Sequence, residues 1–160
     1  MKKKILKISI LVIVALVVID LIYVFYFTSG VSATFPPIKQ YEYEGNINQL
    51  INKTKDFVST QPNLSFKIDE TFGNESSGFV YEMIIKIKNN SHDLLYELKC
   101  ESMNNAKSKT LLKLIGAHDL TNDKGGYGMK ADGMATLLGI FDSDVVIPLK
   151  NNNMVTLKPL

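Results

Sequence analysis

The stretch Phe79–Lys88, FVYEMIIKIK, decides the fold class because its hydrophobicity follows a period of two. Its odd-numbered residues are all large and apolar: Phe79, Tyr81, Met83, Ile85 and Ile87. Successive side chains of a β-strand point to opposite faces of a sheet, so these residues share one face. The stretch therefore predicts a strand that buries one side.

The same alternation recurs once before this stretch and twice after it. The apolar positions run from Leu64 to Ile68, from Leu94 to Cys100 and from Leu112 to Leu114. Polar segments rich in glycine, serine and asparagine separate the runs, at 73–78, 89–93 and 102–108. Consecutive strands with short polar connections predict a four-stranded antiparallel β-meander.

Two helical patterns flank the predicted meander. Before it, apolar spacing at Ile47, Leu50, Ile51, Thr54 and Val58 indicates a helix that Asn46 and Gln49 cap and Pro62 stops. After it, a helix is expected from Asp132-Gly133, with Met134, Leu137, Leu138 and Phe141 on one stripe and Pro148 ending the regular pattern. We therefore expect an α+β fold. Its element order is similar to that of helix-and-curved-sheet folds of the cystatin or helix-grip kind, and that likeness implies no function.

The second face of the meander mixes two kinds of residue. Charged side chains suited to cross-strand ion pairs stand at Glu82, Lys86, Glu97, Lys99 and Lys113. Aliphatic side chains stand among them at Val80, Ile84, Leu95, Leu111 and Ile115. Three interpretations remain open: a helix covers part of this face, the face is a contact surface, or the aliphatics are scattered surface residues.

An apolar segment, Ile8–Phe27, ISILVIVALVVIDLIYVFYF, carries a single charged residue, Asp20. As a helix it covers roughly 30 Å, the hydrocarbon thickness of a bilayer. Lysines precede it, and positively charged flanks stay in the cytoplasm. The sequence therefore predicts a cytoplasmic basic flank at 1–7, a transmembrane signal-anchor helix at 8–27, a tether at 28–40 and an extracytoplasmic α+β domain at 41–160.

A cleaved signal peptide is the alternative for the same segment. If Asp20 ends the apolar core, Ile8–Ile19 has the length of a signal, and cleavage near Ala33 would secrete the domain. However, Leu21–Phe27 restores the apolar run and brings aromatic residues to its outer end, which is typical of an interface. This favours a single-pass protein of the cytoplasmic (inner) membrane.

Composition excludes some partners. Four of the 18 basic residues and one of the 16 acidic residues precede Lys39, so the predicted domain is nearly neutral. It has no basic stripe, which argues against nucleic acid as a partner. Its single cysteine, Cys100, excludes an internal disulfide and lies at a core position of a strand. Abundant lysine and asparagine without arginine suggest an AT-rich bacterial genome.

Catalytic and metal-binding motifs are weak in this sequence. Asp119-x-Thr121-x-Asp123 resembles the start of a calcium loop, but the sixth position is Lys124 and the twelfth is Lys130. His118-Asp119 is a base beside a carboxylate, although catalytic partners usually meet through the fold rather than along the sequence. We therefore predict no enzymatic activity, no cofactor and no metal.

The glycine-rich segment Gly125, Gly126, Tyr127 and Gly128 is the candidate partner-contact site. It lies in the longest irregular stretch, residues 116–130, and surface loops often carry function. Tyrosine offers a large contact area at low entropic cost. The alternative is that the glycines only permit positive φ in a turn and Tyr127 covers the core.

Two functions remain. The first is a non-catalytic interaction module in the cell envelope, either a complex subunit or an immunity-type protein with a protein partner. The second is a binder of a lipid or small apolar ligand, in a cavity between sheet and helix. Such a cavity would be lined or filled by Phe66, Phe79, Tyr81, Tyr96 and Phe141.

Retention of the anchor is testable. Membranes washed with carbonate should keep the whole chain, with an intact mass that includes Met1 or Lys2, because the apolar segment has the length of a bilayer span. A soluble form beginning at Thr34 would instead show that the segment is a cleaved signal.

Overall fold

The structure, a computed structural model, describes residues 36–74, 78–88, 91–103, 109–151 and 155–160. The predicted basic flank, the anchor at 8–27 and most of the tether lie outside the described residues. Among those described, no helix is long and apolar enough to cross a membrane. The first strand begins at Lys39, and Ile38 before it is buried.

The described elements form a small α+β domain around an antiparallel sheet. In chain order they are β1 (Lys39–Glu44), α1 (Ile47–Ser59), β2 (Leu64–Asn74), β3 (Gly78–Lys88), β4 (Asp93–Ser102), β5 (Lys109–Asp119), β6 (Lys124–Gly126), α2 (Met134–Phe141), a π-helical segment (Asp142–Val146), α3 (Ile147–Asn151) and β7 (Leu157–Pro159). The strand order is β2-β3-β4-β5-β1-β7, and β6 also pairs with β5.

The predicted four-stranded meander is the run β2-β3-β4-β5. In the described residues it belongs to a larger sheet of seven strands. Strands β6 and β7 are only three residues long, too short to show a period of two. Strand β1 reaches β5 from a distant part of the chain, through pairs from Lys39↔Leu114 to Glu44↔Lys109.

One face of the sheet carries the core. In β3 the buried residues are Met83, Ile85 and Ile87, and in β4 they are Leu94, Tyr96, Leu98 and Cys100, as the alternation predicted. Both α1 and α2 contribute to this same core. Burial raises the pKa of the Cys100 thiol, so the side chain remains a protonated core residue.

Helix α1 begins with the predicted capping box. Asn46 Oδ1 accepts from the Gln49 backbone N–H at 2.9 Å, and Gln49 Oε1 accepts from the Asn46 N–H at 3.2 Å. These two bonds satisfy backbone donors that a helix start otherwise leaves unpaired. The helix ends at Ser59, before Pro62, and buries all five residues of the predicted stripe.

Pro148 does not end the C-terminal helix, contrary to the prediction. The chain stays helical from Met134 to Asn151 through a π-helical turn. Proline has no N–H to donate within a helix. Here the Ile147 N–H bonds to Asp142 O, a wider turn, and Pro148 falls in the first turn of α3, where a missing N–H is tolerated.

The strand register is testable with two neighbouring substitutions. Ile85→Asp would place an unpaired charge at a position that is 1% exposed and should lower the free energy of unfolding by at least about 3 kcal/mol. Lys86→Asp changes an exposed position of the same strand and should be tolerated. Pulse proteolysis of the full-length chain across a urea series measures both. Equal losses would contradict the register.

Candidate functional site

The face of the sheet opposite the core is the open face, formed by the outward side chains of β3, β4 and β5. No helix in the described part of the chain lies against it. Partly buried aliphatics, Ile84, Leu95, Leu111 and Ile115, alternate there with charged residues. Cross-strand ion pairs join Lys113 to Glu101 at 2.7 Å and Lys99 to Glu82 at 3.8 Å. Such partly exposed pairs contribute about 1 kcal/mol or less each.

Residues 116–130 were expected to be irregular, but residues 117–126 form a β-hairpin, and only 127–130 lie outside regular structure. Strand β5 continues to Asp119, and β6 pairs with it from Ala117↔Gly126 to Asp119↔Lys124. The turn is held by Asp119, whose carboxylate accepts from the backbone N–H groups of Thr121 and Asn122 and from Asn122 Nδ2 at 2.8 Å. These bonds, led by the one from the Asn122 side chain, hold the pKa of Asp119 below its usual value.

The glycines of the candidate contact segment differ in their roles. Gly125 has φ +95°, and a Cβ there would stand 2.0 Å from the Ala117 carbonyl oxygen. Gly126 has φ +145°. Both positions therefore need glycine for the backbone of the hairpin. A Cβ at Gly128 would meet nothing within 4 Å, so that glycine is not required by packing.

Tyr127 lies on the open face, not in the core. Its hydroxyl donates to Glu97 Oε1 at 3.0 Å, and its ring packs edge-to-face with His118, with centroids 5.1 Å apart. A Cβ on Gly116 would stand 3.0 Å from Tyr127 Cε1, so the absence of a side chain there makes room for the ring. Burial and the Glu97 carboxylate raise the pKa of Tyr127. The side chain is still 42% exposed.

Tyr127 forms one wall of a shallow depression of about 240 Å³ on the open face. The lining residues are Asp69, Glu82, Met83, Ile84, Glu97, Leu98, Ile115 and Tyr127. Three of them are carboxylates, and none is a lysine. We call this set the acidic depression.

The three carboxylates of the acidic depression have different partners. Lys67 contacts Asp69 at 2.5 Å, and Lys99 lies 3.8 Å from Glu82. Glu97 instead accepts from Tyr127 and lies 3.4 Å from His118 Nε2, an imidazole that is charged only when protonated. Of these three carboxylates, Glu97 is therefore the one that has no lysine partner among the described residues, and an added cation could form a charge-assisted hydrogen bond with it.

The fold separates the sequence-adjacent pair His118 and Asp119. His118 faces Glu97 and Tyr127, whereas both carboxylate oxygens of Asp119 bond within their own turn. The imidazole nearer to Asp119 is His92, with Nδ1 3.9 Å from Asp119 Oδ2. In the described residues, no three His, Cys, Asp or Glu side chains are grouped as a metal site.

Comparison with protein-family models, with curated proteins and with solved structures finds no match for this chain. The candidate site is therefore argued from the geometry of its own residues. The sequence offered one signal for it: Gly116 within a strand pattern indicates close approach by another part of the chain. Glu97 and His118 contact Tyr127 because the hairpin brings Tyr127 to them, and no local sequence pattern predicted the hairpin.

The glycines give a matched test. Gly125→Ala forces a side chain against the Ala117 carbonyl at positive φ and should lower the free energy of unfolding by about 1–3 kcal/mol. Gly128→Ala, in the same segment with open space around it, should change stability by less than about 1 kcal/mol. Urea unfolding of both variants measures the difference. Equal stabilities would contradict the hairpin geometry.

Proposed function

We propose that the protein is a single-pass, membrane-anchored extracytoplasmic protein of the bacterial cell envelope that acts as a non-catalytic interaction module. It serves as a complex subunit or an immunity-type protein, and it contacts its protein partner through the acidic depression and Tyr127. The observation that carries the proposal is the open face itself. Both long helices pack on the core side, and the other side presents aliphatic, aromatic and acidic groups together.

The composition of the acidic depression suits protein recognition. Ile84 and Ile115 supply an apolar floor, and Tyr127 supplies a half-exposed ring whose hydroxyl is held by Glu97. A tyrosine fixed in this way offers contact area without a large loss of rotamer entropy on binding. Packing at an interface centre typically combines such aromatic anchors with a polar surround.

Charge specifies the chemistry of the partner. The depression is lined by carboxylates alone among charged groups, so it favours a lysine or arginine side chain flanked by apolar residues. The partner's cation would form a charge-assisted hydrogen bond with Glu97, which the described structure pairs with a phenol and an imidazole. The hydrogen bond between the partner's cation and Glu97 would add specificity as well as affinity.

Packing favours this proposal over the binder of a lipid or apolar ligand. Tyr96 and Phe141 were expected to line or fill the internal cavity. Their rings are in contact, with centroids 4.9 Å apart, and each side chain is at most 1% exposed. The Tyr96 hydroxyl also donates to Leu137 O at 2.9 Å, across the space between sheet and helix.

The proposal is tested by quantitative affinity capture of the tagged full-length chain from its own membranes. Tyr127→Ala and Glu97→Gln should each lower the recovery of the partner about tenfold, the loss expected for a central aromatic or charged contact. Their melting temperatures should stay close to that of the wild type, because Tyr127 lies outside the core.

Glu101→Gln is the matched control. It removes a carboxylate from the same strand and the same face, four positions from Glu97, where Glu101 pairs with Lys113. Recovery of the partner should be unchanged in this variant. If Tyr127→Ala captures as much partner as the wild type, the acidic depression is not the contact surface.

A further inference from the structure

The two edges of the sheet are unlike each other. At one edge, β7 is three residues long and contains Pro159, features that discourage pairing with another strand. At the other edge, β2 is 11 residues long and, within the described residues, pairs only with β3. Ile68 lies on this edge strand and is 41% exposed. The β2 edge therefore has enough backbone to pair with another strand, whereas the β7 edge does not.

The direction of the β2 backbone identifies which residues face outward. Lys88 N donates to Asn63 O at 2.9 Å, so Asn63 points its carbonyl toward β3. Backbone groups alternate in direction along an antiparallel strand, and Leu64, Phe66 and Ile68 therefore direct theirs away from β3. The Leu64 N–H is accordingly bonded to Gln61 O, outside the ladder. Phe66 and Ile68 therefore direct their backbone N–H and C=O groups to the edge of the sheet, away from β3.

The charges on either side of Ile68 are self-complementary. Lys67 and Asp69 contact each other at 2.5 Å, and their side chains are 69% and 43% exposed. If a second β2 strand is laid antiparallel with Ile68 opposite Ile68, each Lys67 stands opposite Asp69 of the other copy. Each Lys67–Asp69 pair between the two copies is of the non-hydrogen-bonded type, in which opposed side chains are closest. A second copy of the same strand therefore matches both charges.

From this edge geometry we propose that two copies of the chain associate by antiparallel pairing of β2 about a two-fold axis at Ile68. Such an interface is isologous, with the same residues contributed by both copies. The β-bulge at Asp69 bends the strand and limits the pairing to a short stretch around the axis. The proposal concerns the sheet edge and does not depend on the function of the acidic depression.

Disulfide trapping in whole cells tests the axis on the full-length chain. Two Ile68 Cα atoms facing each other as a hydrogen-bonded pair lie about 5.5 Å apart, within the range that a disulfide bridges. After mild oxidation, Ile68→Cys should form a covalent dimer. Lys67→Cys, one residue from the axis and more exposed, should give about tenfold less, because its two copies lie roughly 8 Å apart on the diagonal. The native Cys100 is buried and should give none.

Charge reversal tests the register in the Ile68→Cys background. Adding Lys67→Asp sets acid against acid on both sides of the axis and should lower the dimer yield about tenfold. Adding Asp69→Lys as well exchanges the two charges and should restore the yield. The proposal is overturned if Ile68→Cys cross-links no better than Lys67→Cys. It is equally overturned if Lys67→Asp leaves the yield unchanged.

Discussion

The β-bulge at Ile115 is the constraint on which both faces of the sheet depend. The register between β4 and β5 passes from Leu98↔Leu114 to Glu97↔Gly116, so Ile115 is an extra residue. On the edge of β5 that does not pair with β4, the partner strand also changes at the bulge. Strand β1 pairs with β5 before Ile115, and β6 pairs with it after Ile115. A one-residue insertion changes which face the later side chains take. It keeps Ala117 in the core and gives the open face its local shape.

The shape of the open face follows from the two residues at the bulge. Ile115 lines the acidic depression beside Ile84, and Gly116 leaves a gap that the Tyr127 ring fills. A strand without the bulge would carry a side chain opposite Glu97 and would exclude the ring. The position of Tyr127 is therefore fixed by backbone geometry first and by its bond to Glu97 second.

The C-terminal helical region is held to the core side by a second set of contacts. Asp142 accepts from Tyr41 at 2.9 Å and from Lys39 at 2.5 Å, which joins the π-helical turn to β1. Tyr41 is 1% exposed, so its hydroxyl needs this partner, and its pKa is raised by burial and by Asp142. Because this contact and the Tyr96–Leu137 bond both lie on the core side, the helices of the described residues do not cover the opposite face.

Local patterns predicted the parts of this fold that local physics determines. The period of two identified β2 to β5 and the buried residues of β3, β4 and β5, and Asn46 with Gln49 identified the start of α1. Ile68 of β2, expected on the inner face, is instead 41% exposed, because β2 is the edge strand. Pairings between distant segments carried no such signal, and these include β1 with β5 and β7. The effect of Pro148 was misjudged because tertiary contacts stabilise the helix on both sides of it. The hairpin at β6 was missed because glycines that indicate a loop also permit close backbone pairing.

Asp69 belongs to both the acidic depression and the β2 edge, and this sharing has a thermodynamic consequence. It lines the acidic depression and also stands beside Ile68 on the sheet edge. Within one copy, Asp69 already pairs with Lys67 of its own strand. In the proposed β2-paired dimer, Lys67 of the other copy would take that place, and each Asp69 would keep one lysine partner. The exchange would therefore leave the net charge at this side of the depression unchanged. If both proposals hold, the coupling free energy between pairing of β2 and binding of a cationic partner would be small, and linkage makes it equal in both directions.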